Sequence, residues 1–145
     1  MMQVSSGQIH DFVAFESYLL RSLEELLERP AETPAGRRLL TVLLDLLLET
    51  LPRELGLKSG EGYLEDVVRE APHLDGEVQQ LRRDHAELWG TLQRLRTEAG
   101  LNLPVAARQR FRDEVAAWRE ARLAQQGHER RLVQESGSRD VGGES

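Results

Sequence analysis

Five residues of this chain, Glu16, Glu54, His85, Gln125 and Glu129, are of types that can ligate a metal ion, and each breaks an apolar stripe. The clearest stripe is Leu74, Val78, Leu81, His85, Leu88, Leu92 and Leu95. Its steps of four and three keep all seven on one face of a helix, with the imidazole at the centre. Glu16 interrupts Ile9, Val13, Leu20, Leu23 and Leu27; Glu54 and Lys58 continue Leu40, Leu44, Leu47 and Leu51. Arg122, Gln125 and Glu129 lie between Phe111, Val115, Trp118 and Leu132. Carboxylates and imidazoles converging on one point can hold a transition metal or move a proton. Alternatively, with Lys58 and Arg122 beside them, they can form a buried ion-pair network. Glu54 and Lys58 stand at i, i+4 with the acid first, the favourable order for an ion pair.

Four helices must bring these residues together. The first is expected from about Ser6 to Arg29, capped by Ser5 or Ser6 and stopped by Pro30. The second opens with Thr33 as cap and Pro34 at the first helical position, and runs to about Leu55 with a kink at Pro52. Gly56, Gly60 and Gly62 mark a break, and a short helical segment follows over about Tyr63–Glu70. The third long helix is expected from Pro72 to about Glu98, and the fourth from near Pro104 to about Glu135. Short connections make neighbours antiparallel, so the expected fold is all-α: an antiparallel up-down-up-down four-helix bundle with a short extra helical segment between the second and third long helices. Residues 1–136 form the bundle in this reading. Residues 137–145, rich in Gly and Ser, form an irregular tail that is flexible or docked.

Composition narrows the function classes. A length of 145 residues suits one domain with a substantial core. Leucine dominates the apolar residues, which favours helix over sheet. The net charge is −6 with basic residues spread along the chain, so nucleic-acid binding is not expected. There is no cysteine, which excludes disulfides, thiolate metal sites and cysteine catalysis. The N-terminus lacks a basic region followed by an apolar run, and no apolar run could span a bilayer. A cytoplasmic protein without membrane association is expected. No glycine-rich nucleotide loop or serine with a nearby base is present, so an enzyme is not expected.

Several segments resemble the hemerythrin-like family. They are Gly62-Tyr63-Leu64-Glu65-Asp66-Val67-Val68, Ala71-Pro72-His73-Leu74, Leu81-Arg82-Arg83-Asp84-His85-Ala86-Glu87-Leu88, and Glu129 to Glu135 with Arg139 to Glu144. The resemblance implies a four-helix bundle, which in the family usually holds two irons through histidines and carboxylates from all four helices. His85 matches a ligand histidine. The fourth-helix His-x-x-x-Glu falls on Gln125 and Glu129, so the acid stays and the histidine is lost. The same motif on the second helix falls on Glu54 and Lys58, which puts a cation in a ligand position. The first-helix histidine falls on Glu16.

Two readings follow. In the favoured one the di-iron centre is lost, Lys58 and Arg122 neutralise the carboxylates, and the protein is a non-catalytic binding or interaction protein without a cofactor. In the alternative, Glu16, Glu54, His85, Gln125 and Glu129 retain iron in a carboxylate-rich site of an oxygen or redox sensor or carrier. The other histidines, His10, His73 and His128, are expected at the surface or at helix starts, and Trp89 and Trp118 in the core. Arg37, Thr41, Asp45 and Glu49 form a narrow polar strip on the second helix, and most of its remaining surface is apolar. That excess predicts a homodimer through this helix, or a face covered by the tail; no protein partner can be named.

Overall fold

The computed structural model describes residues 6–29, 33–59 and 63–144, and their side chains over 14–29, 33–52 and 64–137. Its elements are α1 (Ser6–Leu27), α2 (Pro34–Ser59), α3 (Tyr63–Glu70), a 3-10 turn (Pro72–Leu74), α4 (Asp75–Ala99) and α5 (Val105–Glu144). The described residues are thus all-helical, as the leucine-rich periodicity predicts. Ser5, one of the two expected caps of α1, lies outside the described residues.

Local chemistry sets several boundaries. Thr33 caps α2 as expected, its Oγ1 accepting from the Gly36 N–H at 3.0 Å, and Pro34 occupies the first helical position. α2 runs on past Pro52 and Gly56 to Ser59, further than the two breakers suggest. The Pro72 segment forms a separate 3-10 turn before α4, so α4 itself starts at Asp75. The largest difference is in α5, which continues through Glu144 where Gly and Ser predict an irregular tail. The last buried side chains described on α5 lie just before that stretch. Leu132 is fully buried, and Ser136 is buried with its hydroxyl donating to the Val133 carbonyl at 3.1 Å.

The four long helices form a ring: α1 packs on α2 and α5, and α4 packs on α2 and α5. Contacts fix their directions. Arg112 of α5 reaches the end of α1, whereas Arg122 reaches Glu16 nearer its start. Arg94 meets Glu114, and Arg131 meets Glu77. Asp45 meets Arg96. Each pairing is antiparallel. α3 lies across one end, against α2, α4 and α5.

Two apolar clusters fill the interior. The larger joins Leu19–Leu26 of α1, Leu40–Leu51 of α2, Leu88–Leu95 of α4 and Phe111–Trp118 of α5. The smaller joins Leu64 and Val67 of α3 with Leu74, Val78, Leu81 and Leu132. Each fully buried leucine contributes about 1.5–3 kcal/mol. Along α4 the clusters are separated by His85, and along α5 by Arg122 to Glu129. A polar layer therefore crosses the bundle between two apolar cores.

Candidate functional site

Arg122 is the centre of that layer. Its side chain is fully buried, an unusual place for a guanidinium. Nε donates to one oxygen of Glu16 and Nη2 to the other at 3.2 Å, a bidentate grip on a carboxylate that is itself fully buried. Nη1 donates to Glu129 Oε1 at 3.2 Å and to Gln125 Oε1 at 3.3 Å. Burial works against the Arg122 charge, but the hydrogen bond and charge of Glu16, followed by those of Glu129, outweigh it. They hold the guanidinium pKa above the ordinary arginine value.

His85 extends the chain of contacts from α4. Its Nε2 lies 2.7 Å from Glu129 Oε1, the oxygen that also accepts from Arg122. Nδ1 is buried and has no hydrogen-bond partner among the described residues. The Glu129 carboxylate can only accept, so Nε2 carries the proton of this bond. The layer thus links α1, α5 and α4 in the order Glu16–Arg122–Glu129–His85.

The structure brings together Glu16, His85, Gln125 and Glu129 from the sequence-derived set, with Arg122 among them. Glu54 and Lys58 lie on α2 one and two turns beyond Leu51; their side chains lie outside the described residues. Gln126 is a residue the stripe analysis missed. It is buried, with its Nε2 lacking a hydrogen-bond partner among the described residues, whereas Gln125 is half-buried. Adjacent glutamines differ by about 100° of helix rotation, and α5 is turned between the two. Trp118 is in the core and donates Nε1–H to the Leu88 carbonyl at 3.0 Å; Trp89 packs against the same cluster. His73 is exposed, near Glu135. His128 lines a surface groove between α4 and α5 together with Asp84, Leu88, Trp118 and Gln125. The His10 side chain lies outside the described residues.

The described donors Glu16, His85 and Glu129 do not fit a metal as they stand. Among the described residues no three histidine or carboxylate groups are arranged to hold one. Arg122 occupies the space between the two acids. A divalent ion ligated by both would sit roughly 5 Å from a guanidinium, and their repulsion is about 7 kcal/mol at an effective dielectric constant of about 20.

No family model, curated protein or solved structure matches this chain. What fold and site define directly is an all-α bundle crossed by a buried arginine–carboxylate–histidine network. Among the described residues, no helix is long and apolar enough to cross a membrane.

Proposed function

We propose that this chain is a hemerythrin-like bundle in which an internal ion-pair network has replaced the di-iron centre, and that it acts as a non-catalytic, cytoplasmic binding protein through its surface. The observation that carries this reading is the placement of Arg122, fully buried and bonded to Glu16 and Glu129 at once. A guanidinium cannot deprotonate in this range and cannot ligate a cation. It supplies permanently the positive charge that a metal would otherwise bring. Glu129 is then satisfied from two sides, by Arg122 and by His85, and Glu16 is held by both of its oxygens. Buried carboxylates need such compensation whether or not they ever met a metal. Both acids are committed to structural bonds, which supports a non-catalytic role for them.

The deciding experiment is metal analysis of protein expressed in iron-supplemented cells, combined with an absorbance spectrum. Well under one iron per chain and no oxo-bridge band are expected. Near-stoichiometric iron with that band would overturn the proposal in favour of an iron-binding oxygen or redox sensor or carrier with a carboxylate-rich site.

A further inference from the structure

Among the described residues, four of the six exposed large apolar side chains lie on α1 and α2; the other two, Leu101 and Val105, lie in the connection before α5 and at its start. Phe15 and Tyr18 of α1 are 43% and 62% exposed, and Leu39 and Val42 of α2 are 43% and 50% exposed. Their positions make one patch. Taking about 100° of rotation per residue, Val42 and Leu46 of α2 point away from the buried Leu40, Leu44 and Leu47, with Leu39 turned toward α1. On α1, Phe15 is displaced from the Glu24 side, which meets Arg119 of α5, and so lies toward α2. Gly36 lies beside Leu26. Counting eleven residues back along α1 and eleven forward along antiparallel α2 sets Phe15 level with Leu47, and Tyr18 is level with Leu44 by the same count. Phe15, Tyr18, Leu39, Val42 and Leu46 therefore form a continuous outer face across the α1–α2 pair. Through Glu144 the C-terminal residues continue α5, which packs on α1, α3 and α4.

Charges at the two ends of the face indicate the occupant. Arg38 and Glu49 are both exposed, and neither makes an ion pair among the described residues. Both stand on the same flank of the Val42–Leu46 stripe, the flank toward α4. Their midpoint falls between Leu43 and Leu44, at the middle of the stripe. A two-fold axis lying in the face at that midpoint, perpendicular to α2, reverses direction along the helix and preserves the flank. It carries Arg38 of one copy onto Glu49 of the other, twice. It also brings Val42 against the 45–46 segment of the second copy, Phe15 toward the second Leu39, and the two Tyr18 side chains to the same level.

We infer that this face is a self-association surface, on which two copies of the chain pair α2 against α2, antiparallel, about a two-fold axis near Val42 and Leu46. An isologous contact requires a patch complementary to itself, apolar at the centre and of opposite charge at its ends. The face has both properties. The contact is separate from the buried network, so it stands or falls independently of the metal question.

The test is sedimentation velocity of the full chain over a range of concentrations, with circular dichroism as a check on folding. The parent is expected to sediment as a dimer, twice the 16.5 kDa chain mass. Val42→Asp, at an exposed position, should remain helical and raise the dimer dissociation constant by about a hundredfold, roughly 2.8 kcal/mol at 1.4 kcal/mol per tenfold. Arg38→Glu should weaken the dimer by about tenfold, and Arg38→Glu with Glu49→Arg should restore it. A parent that stays monomeric at high concentration overturns the proposal. A dimer indifferent to Val42→Asp, or one not rescued by the double charge exchange, overturns the assigned face or the assigned two-fold.

Discussion

Replacing Arg122 by methionine removes the charge at the centre of the network and keeps much of the side-chain volume. The consequences differ for its two partners. Glu129 keeps His85 Nε2 at 2.7 Å. Glu16 loses both of its bonds to Arg122 and is left fully buried. Leaving one half of a buried ion pair uncompensated costs about 3–5 kcal/mol. Against a total stability of about 5–15 kcal/mol for a domain, that is a large fraction. The melting temperature should fall by about 10–20 °C, since each kcal/mol shifts a domain of this size by about 3–5 °C. The double variant Arg122→Met with Glu16→Leu removes the orphaned acid as well, and should recover most of the loss, because apolar replacement of a whole buried pair is often neutral or better. Urea denaturation followed by helical circular dichroism would measure all four members of the cycle, parent included. A coupling between positions 16 and 122 of about 2–3 kcal/mol is expected. If Arg122→Met costs less than about 1 kcal/mol, as for an exposed ion pair, the guanidinium is hydrated and its role as a buried counter-charge is refuted.

The same residue can be tested from the metal side. Arg122→Ala releases Glu16 and Glu129 next to His85, so calorimetric titration with zinc should show affinity at least about tenfold above the parent, worth about 1.4 kcal/mol; equal affinities would show that Arg122 does not stand in for a metal. Arg112 Nη2 donates to the carbonyls of Leu26, Leu27 and Arg29 at 3.0–3.3 Å, closing the end of α1, so Arg112→Ala should cost about 1–2 kcal/mol in the same urea assay. Trp118→Phe abandons the bond to the Leu88 carbonyl and part of the core volume, and a loss of about 1–3 kcal/mol is expected, with no loss showing that the indole is not packed as described. Lys58, the only lysine, is expected from its spacing to pair with Glu54 inside the layer, and Lys58→Ala should then cost about 1–3 kcal/mol, whereas a neutral result would place it at the surface.

The part of the fold that was legible in sequence is the part where periodicity and packing agree. The stripe from Leu74 to Leu95 predicts one face of one helix, and its members from Val78 to Leu95 are all buried, His85 included. Thr33-Pro34 predicts a helix start, and Thr33 makes the capping bond. Glu16, His85 and Glu129 were found for the same reason: a polar residue in an otherwise apolar stripe must face the interior. What was not legible depends on partners distant in sequence. Helix propensity places the end of α5 near Ser136 and Gly137, but the helix continues to Glu144, with Leu132 packed among residues of α3 and α4 on the approach. Nothing local to residues 136–144 signals that contact. Gln126 was missed because a one-residue rotation of α5 decides which of two adjacent glutamines is buried. Arg122 shows the limit most clearly. Its stripe position placed it beside the acids as one of two flanking cations, but not at their centre. Only the approach of Glu16, 106 residues earlier in the chain, makes it the residue on which both carboxylates depend. A buried cation is specified by the acids that neutralise it, and those acids come from helices whose relative rotation no single stripe contains.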